Sequence, residues 1–465
     1  MKKVLLTLLL AAPAMLLQAQ TGKGGISPEM LGQIKAAHPT TAADRALRNA
    51  LAGTSINQLT TSPNNPANND TYFSHKVESK GITDQQSSGR CWLFTGLNVM
   101  RAKMIADHNL GSFQFSQSYC FFFDQLEKSN LFLQAVIDKA NLPFEDQNVQ
   151  WLFQHPLSDG GTFCGVQDAV MKYGLVPAEV MPESFAANNT SRMADIISLK
   201  LREYGLELRK AVADGKKAKA IETRKTEMLG DIYHILVLSL GEPPMEFTWT
   251  MKDASGKPVS TKKYTPKSFY QEFFGKDLHK EYVMLMNDPS RPFHKTYTVD
   301  MDRHSYDGLQ WTYINLPMEE IKAMAIASIK DSTMMYYSCD VGKNYNAKTG
   351  ISSLDNYDYS SLFGVDFPMN KADRIRTYAS ASSHAMTLMA VDLDENSKST
   401  KWMVENSWGP AAGYQGHIIM TDEWFDEYSF RLVVDKKYVP AKTLKLLNQK
   451  PTVLPAWDPL FAPEK

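Results

Sequence analysis

Residues 81–95 read Gly-Ile-Thr-Asp-Gln-Gln-Ser-Ser-Gly-Arg-Cys-Trp-Leu-Phe-Thr, and no other stretch of the chain narrows its possible folds as far. A Ser-Ser-Gly turn separates Gln85 from Cys91. After the cysteine, Trp92, Leu93, Leu97, Met100, Met104 and Ile105 recur at helical spacing. The pattern places Cys91 in the first turn of a buried helix, at the positive end of the helix dipole. That position lowers a thiol pKa and makes a nucleophile. Gln85, six residues upstream, can aim its amide at the charge that develops when a thiolate attacks a carbonyl.

At 465 residues the chain is too long for one simple domain and suits two or three lobes. Its net charge is −1, and setting aside residues 1–20, which carry Lys2 and Lys3 and no acid, brings it near −3. This balance gives no electrostatic reason for a nucleic-acid partner. Basic runs such as Lys216-Lys217 and Arg224-Lys225 have acids around them and read as solvated helix faces. Lys2-Lys3, the apolar run Val4–Leu17 and the small and polar residues Gln18–Thr21 read as a secretory signal, cut near Ala19 or Gln20. The run is short of the about 20 residues a membrane span needs, and no cysteine lies near the cut. The expectation is a bacterial periplasmic or secreted protein with no membrane anchor. Of the four cysteines, Cys120, Cys164 and Cys339 are expected as buried small hydrophobes, with a Cys120–Cys164 bridge the alternative left open. No CxxC or CxxH spacing invites structural zinc.

Along the chain, 21–70 reads as an extended lead-in, polar and turn-rich. Residues 71–185 read as a mainly helical lobe, with a sharp turn at Asp159-Gly-Gly-Thr162 and a helix from Val166 to Tyr173 ending at Gly174. Residues 186–330 form a helical and mixed insertion: strong helices over 191–240, a strand at Glu246–Met251, further strands within 281–315. Residues 331–450 are expected as a β lobe, with strands at 334–338, 384–391, 401–404 and 417–420. Helices first and strands last imply segregated lobes, an α+β architecture. Residues 451–465 form a tail.

A nucleophilic cysteine needs a base, and His384, opening the apolar strand His-Ala-Met-Thr-Leu-Met-Ala-Val, has a rigid support for that role. Asn406 and Trp408 follow in Val-Glu-Asn-Ser-Trp-Gly409. A side-chain amide can accept the proton on Nδ1 of the histidine, leaving Nε2 to face the thiol. An indole beside it would shield that bond from water.

Gln85…Cys91-Trp92, a histidine on a strand and Asn-Ser-Trp-Gly together resemble the papain superfamily of cysteine peptidases. The resemblance is closer to its bleomycin hydrolase branch, whose bacterial members are called aminopeptidase C. It extends to Asp159-Gly-Gly161, Lys172-Tyr-Gly-Leu-Val-Pro177, Cys339-Asp-Val-Gly-Lys343 and Leu454-Pro-Ala-Trp-Asp-Pro459. The 293 positions from Cys91 to His384 exceed the roughly 130–150 of ordinary papain-like enzymes and fit a branch with a large insertion. The resemblance implies a two-lobe papain-like fold with Cys91 as nucleophile, His384 as base and acid, and Asn406 holding the imidazole. Gln85, rather than Gln86, would complete the oxyanion hole with the Cys91 N–H. Gly160 and Gly161 would lie against substrate backbone, their other reading being a tight turn, and Trp408 would stand beside the site, as a shield or as a substrate-binding residue. The tail would enter the cleft and bring Glu464 or the Lys465 carboxylate to the amine of a peptide substrate. Aminopeptidase action, no cofactor or metal, and a homohexamer follow from the same resemblance. The tail departs from the branch in Phe461, Pro463 and Glu464. Dipeptidyl peptidase or endopeptidase action with an open cleft is the first alternative, and a non-catalytic relative the second.

Overall fold

The structure, a computed structural model, describes residues 24–461. The expected signal segment, Glu464 and Lys465 lie outside the described residues.

Residues 21–70, expected to be extended, instead carry three helices: α1 (Pro28–Ala37), α2 (Ala42–Leu51) and α3 (Ile56–Thr60). The signals were local caps. Ser27 accepts from the Met30 N–H ahead of Pro28, and Thr41 and Asp44 form a reciprocal capping box. Neither α1 nor α2 buries a residue, so these helices lie on the surface and add little to the core.

The helical lobe holds α4 (Cys91–His108), α5 (Gln117–Asp138), α6 (Gln147–Gln154) and α7 (Phe163–Tyr173). A short α8 (Phe185–Asn188) leads into α9 (Thr190–Ala213) and α10 (Ala218–Leu240), which pack on α5 through Ile197, Leu201, Leu208, Met228, Ile232 and Leu236. The first three turns of α4 have no polar face: Cys91 through Arg101 are all buried, so this part of the helix runs through the interior.

The strands are β1 (His75–Lys76), β2 (Phe247–Lys252), β3 (Pro258–Tyr264), β4 (Tyr282–Met286), β5 (Lys295–Val299), β6 (Tyr313–Asn315), β7 (Met335–Cys339), β8 (Tyr345–Asn346), β9 (Ile351–Ser352), β10 (His384–Leu393), β11 (Ser399–Glu405), β12 (His417–Thr421), β13 (Ser429–Asp435) and β14 (Thr452–Leu454). The pair β2–β3 forms a separate hairpin. The other strands make one sheet in the order β14-β5-β6-β4-β13-β7-β10-β11-β12-β9-β8, with β1 on β10. Side chains alternate across it: Met284 and Met286 face the helical core while Val283 and Leu285 face a second core beneath, with Ile321, Met324 and Trp402. Residues 282–315, inside the region read as insertion, thus supply β4, β5 and β6 to the same sheet as the catalytic-type strands. The boundary at 331 does not separate two bodies. All four cysteines are buried, and no Cys120–Cys164 bridge forms. Burial pushes the Cys120 thiol up to about 12 and raises the Cys164 and Cys339 thiols as well.

Candidate active site

Cys91 is the first residue of α4, and the turn before it is locked from several sides. Arg90 is fully buried. It pairs with Glu183 at 2.7 Å, donates through Nε to Ser88 Oγ at 3.0 Å, and lies over the rings of Phe94 and Phe121. The Gly89 N–H donates to Asp159 Oδ2 at 2.7 Å, and a Cβ at Gly89 would sit 2.4 Å from that carboxylate. These contacts fix the thiol in a cleft of about 270 Å³. Its lining includes Cys91, Gly160, Gly161, His304, His384 and Phe461.

His384 opens β10, with its ring buried. Its Nε2 donates to Asn406 Oδ1 at 2.9 Å, and that oxygen also accepts the Ser407 N–H at 2.8 Å. Because Ser407 can only donate here, the amide oxygen is the acceptor and the imidazole proton sits on Nε2. This reverses the nitrogen assignment expected from sequence. Asn406 follows β11, across the strand pair from His384, and the distal nitrogen is the one that reaches it, leaving Nδ1 for the cleft. Burial lowers the His384 pKa to about 4, the Asn406 hydrogen bond offsetting part of that effect. Trp408 lies against the imidazole, with ring centroids 4.8 Å apart, and does not line the cleft.

Gln85 is tied to the same corner. Its backbone N–H donates to Ser407 O at 2.8 Å, its Oε1 accepts from Ser407 Oγ at 2.6 Å, and its Nε2 donates to Ser88 O at 2.6 Å. Gln86 points outward, with φ +53° and its amide on Asp84. Ser407 therefore couples the Gln85 amide to the Asn406–His384 pair. Its place between Asn406 and Trp408 in the sequence gives no sign of this role.

One cleft wall is the segment 158–162, and most of its backbone is already engaged. Lys128 Nζ donates to Ser158 O at 3.1 Å and Gly160 O at 2.6 Å, Trp92 Nε1 to Asp159 O at 2.8 Å, and the Thr162 N–H to His304 Nε2 at 3.2 Å. The Gly160 N–H goes to Ser158 Oγ at 3.0 Å. Among the described residues only the Gly161 N–H and C=O make no hydrogen bond within this segment's Gly160–Thr162 stretch, apart from the Gly161-flanking contacts already named. Asp124, buried on α5, anchors both holders: Oδ1 accepts from His304 Nδ1 at 2.5 Å and Oδ2 faces Lys128 at 2.8 Å. His304 comes from the 186–330 region, and nothing in its local sequence marks it. The i,i+4 spacing of Asp124 and Lys128 was the one available signal.

The C-terminal segment closes the other side. The strand β14 pairs in parallel with β5, Leu460 is fully buried, and Phe461 reaches the cleft with its ring 5.0 Å from that of Tyr313.

A cysteine at a helix start and a histidine–asparagine pair on adjacent strands, sharing one cleft between helical and sheet-built halves, define a papain-like cysteine peptidase. Residues 25–461 match the peptidase C1-like family, and the chain belongs to it. It is 42% identical to bleomycin hydrolase of Mus musculus over 401 residues, covering 84% of this chain and 88% of that protein. To aminopeptidase C of Lactobacillus delbrueckii subsp. lactis it is 36% identical over 398 residues, with the same coverage. The crystal structure of PepW from Lactobacillus rhamnosis superposes with a TM-score of 0.91 at 34% identity, over 95% of this chain and all of that one.

Proposed function

We propose that this peptidase is an aminopeptidase that removes N-terminal residues from peptides, with its C-terminal tail limiting how far a substrate enters. The observation that carries this reading is that Cys91, His384 and Phe461 line one cleft, so the tail arrives at the catalytic side chains. Relatives named aminopeptidase C support it. The Cys91 thiolate attacks the scissile carbonyl, and the oxyanion is held by the Cys91 N–H and the amide hydrogen of Gln85 not given to Ser88. The C–N bond then breaks as His384 passes its Nδ1 proton to the leaving amine. A water, deprotonated by His384, hydrolyses the thioester. Burial alone strips the imidazole of its proton, so a thiolate–imidazolium pair needs the thiolate's own charge beside the ring. Asn406 orients the imidazole and Trp408 shields that bond. The Gly161 edge holds extended chain, and the Lys465 carboxylate or Glu464 meets the substrate ammonium.

Profiling free and N-acetylated peptides with the whole chain and with a form lacking the tail tests this. Asp458 to Phe461 are packed into the protein, so a form ending at Phe461 is a cleaner probe than one cut before Asp458. Single-residue trimming by the shortened form removes the length-limiting role. N-acetyl peptides cut by the whole chain point to an open-cleft endopeptidase. Peptidase activity surviving Cys91→Ala removes the mechanism.

The same proposal includes export and assembly. Lys2-Lys3 and the apolar run after them support a cleaved signal and a periplasmic or secreted site. N-terminal sequencing of the protein from the extracytoplasmic fraction checks it, an intact Met1 being the contrary result. A homohexamer admitting peptides and excluding folded proteins is checked by mass in solution.

A further inference from the structure

The tail does not simply lie in the cleft; it is fastened just before entering it. Asp458 accepts from Arg291 Nη2 through both oxygens, at 3.1 and 2.9 Å, and Oδ1 also accepts the Leu460 N–H at 3.1 Å. One carboxylate thus grips the body of the protein and bends the chain after Pro459. Arg291 is held ready for it: its Nε faces the buried Asp288 at 2.5 Å and its guanidinium lies over the Tyr297 ring. Beyond the bend, the Leu460 carbonyl accepts the Ser382 N–H at 3.2 Å, two residues before His384, and Phe461 rests beside Tyr313 and Arg431. Before it, Leu454 O accepts the Asp300 N–H at 2.8 Å. Phe461, the last described residue, is therefore held at a fixed point on the cleft lining.

We propose that Asp458 and Arg291 are positioning residues that set where the tail stops, and so determine how many substrate residues fit beyond Cys91. The proposal rests on the length-limiting reading above. Both partners are largely buried, Asp458 at 5% exposure, so the pair is little screened by solvent. Arg291 lies between β4 and β5, so the part of the main sheet built by residues 282–315 also carries the group that grips the tail.

The test uses the full chain, a form ending at Phe461, and full-length Asp458→Asn and Leu460→Ala. Asp458→Asn removes the charge and leaves Arg291 its Asp288 partner. Leu460→Ala removes the buried foot of the same tail by another route. Each is assayed on a free-amine pentapeptide and its N-acetylated twin, and Cys91 is titrated with iodoacetamide. The ratio of N-acetylated to free-amine cleavage is expected to rise about tenfold or more in both variants and in the shortened form, with alkylation of Cys91 at the wild-type rate. A raised ratio in the shortened form beside wild-type ratios in the variants overturns the clamp and leaves the length limit standing. A wild-type ratio in the shortened form overturns the length limit and the clamp with it. Slowed alkylation in both variants places their effect at the cysteine and also overturns a role confined to the tail.

Discussion

The Arg101 guanidinium lies 2.6 Å from the Glu405 carboxylate, with both side chains almost wholly buried. Arg101 is on the helix that begins at Cys91, and Glu405 ends the strand that leads into Asn406. The ion pair therefore ties the helix that begins at Cys91 to the strand that leads to Asn406, the hydrogen-bond partner of His384. Arg101 also donates to Gly81 O at 3.0 Å, and Ser79 bonds the same glutamate, so the lead to Gln85 joins the knot.

Burial raises the Glu405 pKa and lowers that of Arg101, which shows what each ion costs without the other. Arg101→Met is expected to destabilise the protein by about 3–5 kcal/mol, because a buried carboxylate is left alone. Arg101→Met with Glu405→Leu is expected to recover most of that loss. Urea midpoints of the two variants check the contrast, and a double variant no better than the single one refutes the account.

Ser407 links Gln85 to Asn406 without touching the cleft. Ser407→Ala leaves the Gln85 oxygen without its 2.6 Å donor and loosens the amide. A fall in kcat of about tenfold is expected, smaller than the about 10²–10³ for removing an oxyanion donor outright by Gln85→Ala. KM is expected to change little. Steady-state kinetics on one peptide settles it, an effect confined to KM being the contrary outcome.

The catalytic-type residues were legible in sequence because their neighbours repeat a recognisable order: Gln85 ahead of Cys91-Trp92, then Asn406-Ser-Trp-Gly after His384. The helices α9 and α10 were legible from the spacing of their apolar residues, and the strand that His384 opens from its apolar run. Which imidazole nitrogen meets Asn406 was not, since that depends on how two strands face each other. The Asp124–His304–Lys128 support was also hidden, because His304 lies 180 residues from Asp124 and only the packed fold joins them. The surface helices α1 and α2 were missed because turn-rich composition outweighed their caps.

The His384 imidazole gives a pH prediction with a definite sign. In Cys91→Ala no thiolate stands beside the ring, and burial holds its pKa near about 4 against about 6.5 in the unfolded chain. The unfolded state then binds the proton first. Stability is full above pH 6.5 and falls as pH drops toward 4, by ~3 kcal/mol across that window. If the proposed mechanism holds, a Cys91 thiolate in the wild type is expected to raise the ring's pKa and shrink this loss. NMR titration of His384 in both proteins tests it, and a pKa of 6.5 or above in Cys91→Ala defeats the argument.

The two wall glycines differ sharply in the space around them. A Cβ on Gly161 would lie 2.2 Å from His304 Cε1 and 2.8 Å from Trp92 Cε2, whereas one on Gly160 meets only Ser158 Oγ at 3.3 Å. His304 cannot yield easily, being held by Asp124 on one side and by the Thr162 N–H on the other. Trp92 is fully buried and bonded to Asp159. Gly161→Ala is therefore expected to cost about 1–3 kcal/mol of stability by overpacking and to push the wall segment into the cleft, cutting kcat/KM more than tenfold. Gly160→Ala is expected to stay within about threefold of wild type, since a serine hydroxyl can rotate aside. Parallel kinetics and melting curves on the two variants give the answer. Equal losses at both positions would mean that the wall tolerates displacement and that its backbone does not place the substrate.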